Sequence, residues 1–166
     1  MSGKYATNTK VSEEKSREEI DKALKGYGAT KRVYGFDDDN SLARIQFEMR
    51  NRRLRFDLPM PLLSSFALSD TRRIPRTAES ARTAWEQACR QRWRALALVI
   101  KAKLEAVDSG IVTFEEEFLA HVVLPNGSTV GEYMEPQIQW VYDTGQMPTM
   151  LPGLPEDVAG LLEGPK

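Results

Sequence analysis

Two side chains bound the nucleophilic chemistry open to this sequence: one cysteine, Cys89, and one histidine, His121. A catalytic nucleophile needs a base and an orienting group beside it. Cys89 falls between Trp85 and Trp93 on what the spacing marks as the apolar side of a helix. There a thiol packs as a small hydrophobe. His121 is accordingly expected to be a packed or interface residue. Metal chemistry is no better served. Glu115, Glu116 and Glu117 are consecutive, so they fan around a helix instead of converging on one ion. Asp37, Asp38 and Asp39 precede Asn40 and read as turn chemistry, without the spaced ligands and terminal glutamate of a calcium loop. Lys25-Gly26-Tyr27-Gly28 lacks the preceding strand and following lysine and serine of a phosphate loop. A nuclease would need clustered carboxylates with a lysine, and no spacing suggests them. The expectation is a non-enzymatic protein with no metal and no cofactor.

The arginines are the stronger signal. The net charge of −1 hides a separation along the chain. Residues 1–43 carry 8 basic and 8 acidic side chains, residues 44–103 carry 14 and 5, and residues 104–166 carry 1 and 11. Within the basic third, Arg50, Arg52, Arg53 and Arg55 fall on one hairpin, and Arg72, Arg73 and Arg76 on one loop around Pro75. Arg90, Arg94 and Lys101 share one side of a helix, flanked by Arg92 and Lys103. The planar guanidinium fork suits phosphate, and such a set could follow a nucleic-acid backbone. Tyr34 would add a stacking surface for a single strand if it shares that side. The competing expectation is that basic and acidic thirds pair within one molecule.

These groups need elements to position them. With 166 residues, 41% hydrophobic and 28% charged, the chain suits one compact domain. Residues 1–11 are expected to be disordered. Ser12 caps a helix over 12–25, with Glu13 and Glu14 at its positive end, Ile20 and Leu24 on its apolar stripe and Gly26 as its stop. A meander follows, with strands at 32–36, 42–50 and 53–58. Ala43, Ile45, Phe47 and Met49 alternate with polar residues, and Leu54, Phe56 and Leu58 face inward while Arg53, Arg55 and Asp57 face outward. Arg50-Asn51-Arg52 supplies the second turn, and Pro59 and Pro61 end the last strand. Residues 62–76 read as a loop.

The open face needs a cover. Trp85, Cys89, Trp93, Leu96, Ile100, Leu104 and Val107 recur at helical spacing after the N-cap Thr77, which predicts a helix of about 30 residues ending at Gly110. Thr113 with Glu116, and Thr129 with Glu132, have capping-box spacing. They predict helices over 114–121 and 130–143, with Pro136 kinking the second and Gly145 stopping it. Residues 147–166, with four prolines and three glycines, form a tail. The expected fold is α+β: a three-stranded antiparallel meander packed on one long helix, with a mostly helical C-terminal part. The single domain spans 12–146.

The stretch from Ala84 to Val107, together with Phe114-Glu115-Glu116-Glu117-Phe118-Leu119-Ala120-His121 and the Leu124-Pro125-Asn126-Gly127 turn, resembles a family of small proteins encoded by bacteriophages and prophages. The similarity runs from about Val11 to Gly153 and carries no catalytic residue with it. It implies action in the cytoplasm of a bacterial host, where small basic phage proteins often serve DNA replication or recombination.

Two function classes follow. The first is a nucleic-acid-binding accessory protein, a single-strand binder or a recombination or replication mediator acting on DNA. The second is a counter-defence or host-interaction protein that binds a host protein or sequesters a nucleotide signal. A protein partner at the acidic C-terminal third fits either class. The opposite charge blocks suit a homodimer, or a monomer whose long helix is covered by its own C-terminal segments. No apolar run approaches the roughly 20 residues that span a bilayer, and the first thirty residues show no secretory pattern, so no membrane partner is expected.

Overall fold

The computed structural model describes residue 6 and residues 9–69 and 74–146. Helix α1 spans Glu13–Gly26, and Ser12 caps it by accepting from the Lys15 amide. Strands β1 (Thr30–Asp37), β2 (Leu42–Met49) and β3 (Arg52–Pro59) form an antiparallel sheet in chain order. Helix α2 runs from Ala78 to Asp108, 31 residues, after the Thr77 cap. Helix α3 (Phe114–Phe118) continues into a 3₁₀ turn at Leu119–His121, and α4 spans Val130–Thr144. The chain is an α+β protein with a helical C-terminal part. The 62–76 loop contains a 3₁₀ turn at Leu63–Phe66 and a bridge between Leu68 and Pro75. Most of the expected N-terminal disorder and all of the 147–166 tail lie outside the described residues. Ala6 is buried, and the Thr9 carbonyl accepts from Gln87 Nε2 at 3.0 Å.

Strand alternation builds the core. Ala43, Ile45 and Phe47 of β2 face Leu58, Phe56 and Leu54 of β3 in register, and all six are buried. The cover is shared: α1 contributes Ile20 and Leu24, and α2 contributes Trp93, Leu96, Ala97, Ile100 and Leu104 to the same cluster. Beyond the sheet, the far end of α2 packs on α3, whose Phe114 and Phe118 join the core. The far end of α2, beyond what a three-stranded sheet needs, is thus covered by the C-terminal part.

Candidate nucleic-acid interface

The β2–β3 connection is a two-residue turn. Met49 pairs with Arg52, and Arg50 and Asn51 between them adopt φ values of 48° and 59°. Positive φ at both central positions gives the turn whose twist matches that of paired strands. It holds Arg50, Arg52 and Arg53 at the exposed end of a stiff ribbon. The Arg50 guanidinium lies over the Phe114 ring, 5.1 Å from its centroid. Arg52 and Arg53 make no side-chain hydrogen bond or ion pair among the described residues. Beneath the tip is a cleft of about 540 Å³ lined by Arg50, Tyr27, Phe114 and Asp108, among others. Tyr27 Oη donates to Glu105 at 3.0 Å beside it.

The other expected contacts are placed differently. Arg55 points to the outer face of the sheet, as alternation requires, but that face is not open there. The Leu54–Val122 bridge lays the chain after α3 along the β3 edge, and Val123 N–H donates to the Arg53 carbonyl at 2.8 Å. Arg55 is left 7% exposed under this segment. Its Nη1 donates to the Gly127 carbonyl at 2.7 Å, its Nη2 donates to Glu132, and its Nε lies 3.1 Å from Asp57. Asp57 also accepts two bonds from Arg44, at 2.6 and 3.1 Å. The Arg55 expectation is therefore corrected: the residue fastens the acidic C-terminal third to the sheet. The Glu132 carboxyl is held below its ordinary value by the Thr129 backbone donor of its capping box and by Arg55.

Arg94 and Lys101 are also committed internally. Both donate to Glu19 of α1, at 2.8 and 2.6 Å, and pull its carboxyl below the usual range. They hold α1 against α2. Arg90 donates to Gln87 Oε1 at 2.7 and 3.1 Å. Arg76 is half-buried and donates to the Leu68 carbonyl at 3.1 Å, bracing its loop. Arg72 and Arg73 lie outside the described residues. Tyr34 is a second correction. It stands opposite Ile45, on the core face, with its Oη donating to the Arg17 carbonyl at 3.4 Å. Burial raises its pKa to about 12. It shares no face with Arg53 and offers no stacking surface beside the hairpin.

Cys89 is buried in the α2 stripe, and burial raises its thiol pKa to about 11. His121 stacks on Phe56 with centroids 3.9 Å apart, and burial, with Lys103 nearby, lowers its pKa. Among the described residues, no three His, Cys, Asp or Glu side chains converge as a metal site would require. None of the described helices is long and apolar enough to cross a membrane.

One surface was missed by the arginine-centred reading. Helix α4 buries no side chain, yet Tyr133, Ile138, Trp140 and Tyr142 project from it. Their spacing, with Met134 and Val141 between, was available in the sequence as an amphipathic pattern.

The fold and site thus define a small α+β protein with an exposed arginine hairpin and an acidic C-terminal helix whose aromatic side chains stay exposed. Compared with known proteins, the chain matches no protein-family model, no curated protein and no solved structure.

Proposed function

We propose that this chain is a non-enzymatic nucleic-acid-binding accessory protein that grips the phosphate backbone through the tip of the β2–β3 hairpin. The observation that carries the reading is that Arg52 and Arg53 remain exposed and uncommitted while Arg55, Arg94 and Lys101 are satisfied internally. With Arg50 beside them on a two-residue turn, they place three guanidinium groups at one end of the sheet, Arg52 and Arg53 leaving its opposite faces. Such contacts position a backbone and read no bases. The resemblance to phage proteins supports a place in DNA replication or recombination in the cytoplasm of a bacterial host, as a single-strand binder or mediator.

Fluorescence anisotropy with labelled single-stranded and duplex DNA tests this. Binding is expected at low salt, and Arg52→Glu with Arg53→Glu abolishes it while the circular dichroism spectrum stays unchanged. Binding that survives this double reversal would move the interface off the hairpin. No binding by the wild-type chain to either DNA would overturn the proposal.

A further inference from the structure

We infer that α4 docks on a second copy of this chain, its apolar face lying on the exposed Leu62, Leu63, Leu68 and Ile74 beside the first half of α2. The inference gives the acidic C-terminal third its protein partner and does not depend on DNA binding at the hairpin.

At 100° per residue, Trp140, Tyr133, Val130, Val141, Met134, Ile138 and Tyr142 fall within an arc of about half the circumference of α4, interrupted by Gln137, Thr144 and Gly131. Glu135 and Asp143 flank that arc. A surface helix with such a face normally packs it. This one does not: α4 packs chiefly on the 3₁₀ turn at Leu119–His121, where Gly131 sits against Ala120, and Tyr142 is 83% exposed. A 15-residue helix without tertiary packing is marginal in water. Helix α4 is nevertheless well bounded, by the Thr129–Glu132 capping box and by Gly145 in the left-handed conformation. A built helix that leaves Tyr133, Ile138, Trp140 and Tyr142 uncovered has the form of a docking element.

Charge selects the occupant. Residues 104–146 contain no lysine or arginine, so α4 presents apolar side chains between carboxylates. Pairing α4 with α4 of a second copy would bring Glu135 and Asp143 against like charges. The same chain carries the complementary surface. Leu62, Leu63, Leu68 and Ile74 are exposed just before α2. Of the arginines between 74 and 94, Arg94 is taken by Glu19 and Arg90 donates to Gln87, which leaves Arg82 and Arg92 as exposed cations on α2. Arg82 is 74% exposed and, among the described residues, pairs only with the half-exposed Glu86 one turn on, at 3.4 Å, a contact weak enough to be exchanged. Two copies that exchange α4 cover both apolar patches and neutralise both charges in two equivalent contacts.

Analytical ultracentrifugation of the full chain over a concentration series reads the outcome. Wild type is expected to sediment as a concentration-dependent dimer. Trp140→Lys with Tyr142→Lys is expected to weaken it by about 30-fold or more, the scale of an interface hot spot. Because these side chains are exposed, the variant keeps its fold. Two further variants identify the receptor: Glu135→Lys with Asp143→Lys, and Arg82→Glu with Arg92→Glu. Each alone is expected to be monomeric, and their mixture to form the heterodimer. A wild-type monomer at every concentration overturns the inference. A dimer indifferent to the α4 changes overturns it too. A dimer lost on the α4 changes but unaffected by Arg82→Glu with Arg92→Glu refutes the receptor assignment.

Discussion

Replacing Arg52 and Arg53 together by alanine tests the interface through the slope of affinity against salt. Each neutralised phosphate contributes about 0.7 to that slope on a single strand and about 0.9 on duplex DNA, through counterion release. All ten basic residues singled out by sequence would give a single-strand slope of about −7, a loss of about 10⁴-fold for a fourfold rise in salt. The structure withdraws Arg55, Arg94 and Lys101 into internal pairs and ties Arg76 and Arg90 to neighbouring groups. The three hairpin arginines alone give a slope of about −2, or about 20-fold over the same salt range. Arg72 and Arg73 would steepen this to about −3.5 if both reach phosphate. The change on mutation avoids that ambiguity: removing two contacts flattens the slope by about 1.4 whatever the loop adds. The assay is anisotropy of a labelled oligonucleotide at four or more salt concentrations, with Arg94→Ala as the control for a committed arginine. A slope unchanged by the double substitution, or flattened equally by Arg94→Ala, would refute the claim that exposed, unpaired arginines carry the binding.

Two further expectations concern the way the C-terminal third is held. Arg55→Ala removes the donor to Glu132 and to the Gly127 carbonyl, and because the carboxylate left behind is half-exposed, urea melts should show a loss of about 1–2 kcal/mol. Glu132→Gln should cost less, because the amide oxygen can still accept from Arg55 and Asp57 keeps a negative charge beside the guanidinium. His121 has a folded pKa below its ordinary 6.5, because burial and Lys103 disfavour the charged ring. The unfolded chain therefore takes up the proton first as pH falls. The contribution of His121 is complete above 6.5 and is lost as pH drops through the lower, folded value. Melts at stepped pH should show this loss in wild type and a flatter profile in His121→Gln.

The elements were legible because their signals are local. Period-two alternation set β2 and β3 to within a residue or so, and both capping boxes form with reciprocal bonds, as at Thr113 and Glu116. The α2 stripe from Cys89 to Leu104 is buried as its spacing required. The site was less legible because charge counted along a chain ignores partners brought from a distance. Arg55 meets Glu132 across 77 residues, and Arg94 and Lys101 meet Glu19 across 75 and 82. Nothing in β3 itself says that its outer face will be covered by the 122–132 segment. Tyr34 failed for a different reason. Val33, Tyr34 and Phe36 put large apolar side chains on both faces of β1, and the register shift between Thr30 and Val33 blurs its alternation. Only pairing with Ile45 assigns Tyr34 to the core face.

Arg50 separates interface from scaffold most sharply. A non-glycine residue at φ 48° costs about 1 kcal/mol relative to glycine. Stacking over Phe114 returns about 0.5–1 kcal/mol, the scale of a cation–π contact near the surface. Arg50→Gly removes both, so the stability change should lie within about 1 kcal/mol of zero. DNA affinity should nevertheless fall, with the salt slope flattened by about 0.7 on a single strand. Paired urea melts and anisotropy titrations on one preparation give both numbers. A destabilisation above about 2 kcal/mol would mean that Arg50 is a structural brace on Phe114, since neither strain nor stacking reaches that size. Unchanged affinity with unchanged stability would remove Arg50 from the interface and leave only Arg52 and Arg53 to hold the phosphates.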